Sequence, residues 1–313
     1  MLKLQSFLGA LAIATAMLTG TQAQQAPFPV TIEHTFGTVT IPAEPQRVVA
    51  LMDRDVDTLL ALGIRPVAIR SWYNFDTGAG AWSVDLLGDT KPTVWKGRDL
   101  NYEAIAAEDP DLIVFASSGG DAEEYERLSQ IAPTVSLPKG ELPWGSTTIG
   151  TTRLIAQAVG REAQGEALIA ELNAYLAAQK AAHPEFAGHT ANYLDVHQGG
   201  LTYYARAQFI NATLYQLGFS PIEAVLAIPA GESYATTSDE QAALVDADIL
   251  LIYPFGLSRE EMLAAHPTLP NIGAFKNGGA IILPDLAFSQ ASVISIPYAL
   301  ERLLPEFSAA LAQ

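Results

Sequence analysis

The sequence predicts an α/β protein of two lobes, each a mostly parallel sheet covered by helices, with one long α-helix joining them. Three observations carry that reading. From Gln46 onward, short aliphatic runs alternate with helical stretches, the pattern of parallel strands linked by crossover helices. Midway, residues 161–183 form one stretch rich in Ala, Leu, Glu and Gln, preceded by Gly160 and closed by Pro184. A motif of the first half also returns in the second.

Taken in chain order, Lys3 supplies a positive start, Phe7 to Leu18 an apolar run, and Thr21-Gln22-Ala23 a small-residue end. That is the layout of a secretory signal peptide, and about 12 apolar residues fall short of the roughly 20 needed to span a bilayer. Residues 1–23 are therefore expected to be cleaved. An N-terminal lobe over 24–160, a connecting helix over 161–183 and a C-terminal lobe over 184–313 follow.

Strands are expected at 47–52, 66–70, 93–95, 112–116 and 134–137 in the first half, and at 191–196, 249–253 and 280–283 in the second. In the connecting stretch, Leu168, Leu172, Tyr175 and Leu176 recur at helical spacing. Twenty-odd helical residues reach roughly 30 Å, about the width of a small lobe.

The repeat is specific in its spacing. Glu103 stands eight residues before Asp111, which opens the apolar run Leu112-Ile113-Val114-Phe115. Glu240 stands eight residues before Asp248, which opens Ile249-Leu250-Leu251-Ile252-Tyr253. Each Glu falls near a helix start, where the dipole favours a carboxylate. Capping explains either alone; the matched pair points to a shared task on one outer face.

Composition bounds the function. The 313 residues carry 17 Lys+Arg against 34 Asp+Glu, a formal charge of −17, which excludes nucleic acid as the main partner. With 49% apolar and 16% charged residues the chain can pack a full core. The absence of Cys removes disulfides, thiolate metal sites, cysteine nucleophiles and a lipid-anchored cysteine, which points to a free periplasmic protein.

Ligands of parallel α/β sheets collect beyond the carboxyl ends of the strands. Asp53 and Arg54 follow the first strand; Arg70, Ser71, Trp72 and Tyr73 the second; Trp95, Lys96 and Arg98 the third; Ser117 to Gly120 the fourth. In the second half come His197, then Tyr203, Tyr204 and Arg206, then Tyr253 and Phe255, then Phe288 and Ser289. Arg offers planar, permanently charged donors, and Trp and Tyr offer flat apolar contact with a polar handle. The candidate ligand set is Arg70, Trp72, Trp95, Arg98, Tyr203, Arg206 and Tyr253, suited to a bulky, flat, anionic or metal-chelated ligand. Arg54 is expected to pair with Asp53, Asp55 or Asp57. No G-x-S-x-G, Walker A, H-E-x-x-H or G-x-G-x-x-G motif occurs, and no catalytic residue or bare metal site is expected. Of five His residues only His197 falls at a strand end, as a candidate axial or hydrogen-bonding ligand.

The stretches HTFGTVTIPAEPQRVVAL, ALG with Ile64 to Arg70, NYEAIAAEDPDLIVF, LSQIAPTV and AFKNGG, in that order, resemble the substrate-binding proteins of ABC transporters for iron-siderophores, haem and cobalamin. The resemblance runs from about His34 to the C-terminus. It implies two Rossmann-like lobes joined by one long helix, a ligand in the cleft between them, and little hinge closure. It also implies that Glu103 and Glu240 engage arginines of the membrane permease. The cleft residues of this family vary with the ligand, so none is carried over by motif.

The expected function is thus a periplasmic, monomeric receptor that captures a ferric siderophore and delivers it to an ABC permease, with no cofactor of its own. Haem or cobalamin, with His197 or a Tyr such as Tyr203 as axial ligand, is the alternative. An exported hydrolase using Ser117 or Ser118 with His197 is the reading from another class.

Overall fold

The structure, a computed structural model, describes residues 28–312. The expected signal peptide, residues 1–23, lies outside the described residues. A two-stranded antiparallel hairpin opens the fold, β1 (Val30–His34) and β2 (Gly37–Ile41). Its alternation buries Ile32 and Ile41 against the first core and leaves Thr31 and Thr40 in solvent.

The first sheet has five parallel strands: β3 (Val48–Ala50), β4 (Ala68–Ser71), β5 (Thr93–Lys96), β6 (Leu112–Val114) and β7 (Thr134–Val135), in spatial order β5-β4-β3-β6-β7. Helices α1 (Asp53–Ala61), α2 (Tyr102–Ala107), α3 (Ala122–Ser129) and α4 (Thr148–Ala158) cover it. Val48, Ala50, Ile69, Leu112 and Val114 pack on Val56 and Leu59 of α1 and Ile155 of α4. Val49, Ala68 and Ile113 pack on Ile105 of α2 and Leu128 of α3. Because both faces are covered, the central strands read as unbroken apolar runs.

The second sheet also has five strands: β8 (Ala191–His197), β9 (Gly200–Tyr204), β10 (Tyr234–Thr237), β11 (Ile249–Tyr253) and β12 (Ala280–Ile282), in order β10-β9-β8-β11-β12. β8, β11 and β12 run parallel, while β9 and β10 add an antiparallel edge beyond the three strands expected in this half. The tight turn from His197 to Gly200 makes that edge, with Gly200 at φ 150° closing the hairpin.

Between the sheets, α5 (Glu162–Ala182) runs for 21 residues. Its Leu172 and Leu176 bury in the second core, while Leu168 packs against both cores. Gly165 lets α5 cross α4 closely, since a Cβ there would lie 2.4 Å from Ala156 Cβ. The sheets are tied elsewhere too. Ser292 Oγ donates to Asp57 Oδ2 at 2.8 Å, Thr148 Oγ1 donates to the Ala291 carbonyl, and Trp82 packs on the second core.

The sequence repeat acquires a structural meaning. Asp111 accepts from the amides of Gln46 (2.7 Å) and Arg47 (2.9 Å), and Asp248 accepts from the Thr190 amide (2.7 Å). In each lobe the Asp that opens one central strand clamps the residue just before its neighbour, β3 or β8. The matching Glu residues are left exposed, Glu103 in the first turn of α2 and Glu240 in that of the short helical turn Asp239–Val245.

Candidate functional site: an aromatic cleft with one cationic wall

A cleft of about 600 Å³ opens between the two sheets, within the range of sites for small ligands. Its first wall grows from the first turn of α1, where the sequence Asp53-Arg54-Asp55 buries three charges side by side. Asp53 accepts from Ser71 Oγ (2.8 Å) and the Tyr73 amide (3.1 Å). Asp55 accepts from Ser117 Oγ (2.6 Å) and the Ala116 amide (2.8 Å). Burial outweighs these donors and pushes both carboxyls up to about 6.

Arg54 turns the other way and corrects the expectation of a local ion pair. Its guanidinium donates to the Ser146 carbonyl (3.0 Å), Ser146 Oγ and Thr151 Oγ1 (3.4 Å), and lies 4.0 Å from the Phe209 ring centroid. Burial lowers it to about 10, so it stays charged at neutral pH. Beside it, Trp72 and Trp144 meet edge to face at 5.2 Å, and Arg98 sits 5.0 Å from Trp72 and 5.2 Å from Phe255. Trp144 has φ 57° and lies against Gly119, where a Cβ would come within 1.9 Å of its Nε1. Only a glycine there admits the indole.

The second wall combines a sheet face with strand ends, Phe255 after β11 and Ser289 after β12. Along β8, Tyr193, Asp195 and His197 point into the cleft while Leu194 and Val196 point into the core; along β9, Thr202 and Tyr204 do the same. Asp195 accepts from the Tyr193 hydroxyl (2.7 Å) and the Tyr204 hydroxyl, and Tyr193 also meets Ser289 Oγ at 2.7 Å. Burial dominates here as well and pushes Asp195 up to about 6. His197 shares a 2.9 Å hydrogen bond between Nε2 and Thr202 Oγ1. Burial, then the nearby His266, hold its pKa below the usual value, so the ring is neutral at pH 7.

Of the seven residues expected to bind ligand, Trp72 and Arg98 line the cleft. Arg70 is buried just beneath it, donating to the Leu51 carbonyl at 2.9 and 2.7 Å and to the Arg98 carbonyl at 2.5 Å. It supports the loop that carries Arg98. Tyr253 stands behind the wall, 6.3 Å from Tyr73 and 5.5 Å from Phe255, which both line it. Trp95 is on edge strand β5 and packs against the cluster of Val49, Ile105 and Phe115. Tyr203 corrects the expectation outright, because the period of two turns it to the core face while Tyr204 takes the cleft. Arg206 is exposed past the end of β9 and lines a separate groove with Leu142 and Leu226.

Sequence reasoning misses Tyr193, Asp195, Thr202, Phe209 and Trp144, and it places Tyr204 beyond a strand end without choosing it as a ligand residue. Alternation of polar and apolar residues over 193–204 was the available signal. For Trp144 it was an aromatic set between Pro143 and Gly145 in a loop.

The hydrolase arrangement is not assembled. Ser117 Oγ donates to Asp55, Ser118 Oγ to the Phe115 carbonyl at 3.0 Å, and His197 is paired with Thr202. Among the described residues no group of three His, Asp or Glu side chains could hold a metal ion.

Two α/β lobes with a solvent-open aromatic cleft between them define a solute-binding protein. The family model described as periplasmic binding protein matches residues 48–287, and the chain belongs to that family. Among its relatives, the probable siderophore-binding lipoprotein YfiY of Bacillus subtilis (strain 168) is 29% identical over 84% of this chain and 83% of its own. The achromobactin-binding periplasmic protein of Dickeya dadantii (strain 3937) is 30% identical over 78% of this chain and 80% of its own. The crystal structure of PiaA from Streptococcus pneumoniae TIGR4 in complex with ferrichrome superposes with a TM-score of 0.75 at 26% identity, covering 90% of this chain and 99% of that one.

Proposed function

We propose that this protein captures a ferric siderophore in the cleft and delivers it, in the periplasm, to the permease of an ABC transporter. The observation that carries the reading is the cleft itself. About 600 Å³ lined by Trp72, Trp144, Phe209 and Phe255, with Arg98 and several tyrosines among them, suits a bulky chelate with an apolar exterior and oxygen-rich faces. The siderophore-binding relatives support it. Iron is cargo here, presented by its chelator, and no covalent step is involved.

Trp72, Trp144, Tyr73, Tyr204, Arg98 and Phe255 are the contact residues on this reading, with Arg70 positioning Arg98. Two of the four tryptophans line the cleft, so cargo binding should quench intrinsic fluorescence. Titration with a panel of ferric siderophores, haem and cobalamin is the test. Saturable quenching by an iron chelate is expected; silence toward every chelate, with tight haem or cobalamin binding, would sink the assignment.

Glu103 and Glu240 are proposed as the permease contacts, one exposed carboxylate per lobe. Hydrogen bonding to Ser238 holds Glu240 below the usual carboxylate range. Glu103→Ala with Glu240→Ala should leave affinity in solution unchanged and abolish transport in a reconstituted uptake assay. Weakened binding in solution would overturn the docking role.

A further inference from the structure

The cleft also carries information about the charge of its cargo. Three ionised side chains line it: Arg54, Arg98 and Asp195. Arg54 is spent on the protein itself, with its donors on Ser146 and Thr151 and its face on Phe209. Arg70, one layer behind, has its donors on the Leu51 and Arg98 carbonyls. Asp55 and Glu141 act electrostatically on Arg54, and Glu124, Asp53, Asp55 and Asp99 on Arg70. Arg98 is therefore the one cation of the lining that is exposed and has its donors free for a ligand among the described residues. Opposite it stands Asp195, whose two oxygens are held in the wall by Tyr193 and Tyr204 and which remains ionised at neutral pH.

Such a lining is close to electrically balanced, inside a protein whose formal charge is −17. Both features disfavour a polyanion, since the field of the whole molecule repels it and Asp195 repels it again at short range. Three hydroxamates lose one proton each and neutralise a ferric ion. Three catecholates lose two protons each and leave the complex triply negative. We infer that the cleft selects ferric chelates of at most one net charge, with the trihydroxamates as the simplest class, and discriminates against ferric tricatecholates through Asp195. The inference deepens the siderophore reading and rests on it. Aromatic area from Trp72, Trp144, Phe209 and Phe255 then supplies the affinity that charge does not.

The test is fluorescence titration of the mature protein with one ferric trihydroxamate and one ferric tricatecholate at physiological ionic strength. The trihydroxamate should bind at least about tenfold tighter. Asp195→Asn, which keeps an acceptor for the tyrosines, should narrow that ratio by about tenfold. Tyr204→Phe, which removes a hydrogen bond that helps keep Asp195 ionised, should narrow it as well, and this second variant serves if the first folds poorly. Tighter binding of the tricatecholate, or a ratio that neither variant moves, overturns the charge selection and leaves the siderophore reading standing. If no ferric chelate binds, both fall together.

Discussion

The two lobes repeat one plan and diverge at one edge. Strands β3 and β6 in the first lobe correspond to β8 and β11 in the second, each pair stitched by the same Asp clamp, Asp111 or Asp248. Beyond that shared centre the first lobe continues in parallel, so each strand ends at the cleft and a new crossover begins there. Charges that start α1 are buried as a result, and Arg98 is left as the exposed cation of that wall. The second lobe instead turns back at His197–Gly200, and an antiparallel hairpin exposes a whole face of side chains. That wall carries hydroxyls, one carboxylate and one neutral imidazole. A parallel edge offers strand ends; an antiparallel edge offers alternate residues along its length.

The largest expected difference between the walls is in stability. Arg54→Ala removes a buried cation and strands the Ser146 carbonyl and hydroxyl, and should cost on the order of 3 kcal/mol in chemical denaturation. Tyr234→Phe, on the exposed rim of the second wall, should cost less than about 0.5 kcal/mol. Equal losses would break the distinction between a structural wall and an adaptable one.

Next in size is an effect of pH. Asp53, Asp55, Asp57 and Asp195 are all pushed from 3.8 up to about 6 by burial. The folded state therefore holds protons that the unfolded chain has already released between those values. The stability they contribute is full below about pH 4 and lost as pH rises through 6. A differential scanning series should find a higher Tm at pH 5 than at pH 7.5. Three of these groups are in the first lobe, so Asp57→Asn should flatten the dependence there. A Tm that falls steadily from pH 7.5 to 5 would contradict the assignment.

Smaller still is the tie between lobes. Ser292→Ala removes the hydroxyl that joins Asp57 to the second lobe and should cost about 1 kcal/mol. The cleft should close less uniformly as well, read as a broader distribution of lobe separations by spin labels. A single sharp distribution unchanged by the substitution would show that α5 and the remaining ties at Thr148 and Trp82 set the lobe geometry without Ser292.

Much of this was legible in the sequence because it depends on short-range chemistry. Parallel strands buried on both faces must be apolar runs, so the central strands could be read directly. The connecting helix is bounded by Gly160 and Pro184, whose backbone limits act locally. The eight-residue Glu-to-Asp spacing is visible too, and the coordinates give its Asp half a structural role. What escaped was orientation. Tyr203 and Tyr204 are adjacent and equally plausible by type, and only the pairing of Asp195 with Thr202 and Leu194 with Tyr203 decides which faces the ligand. Arg54 looked like a partner for its acidic neighbours, yet a helix sends neighbouring side chains in different directions and each found another element. Trp144 became a cleft residue because Gly119, 25 positions away, leaves room for its ring. The sequence by itself determined two α/β lobes, a joining helix and an acidic chain without cysteine, since patterning, backbone limits and composition are properties of the chain alone. The tertiary structure decided which cations stay free, which carboxylate opposes them and hence what charge the cleft accepts, because those depend on distances between residues far apart in sequence.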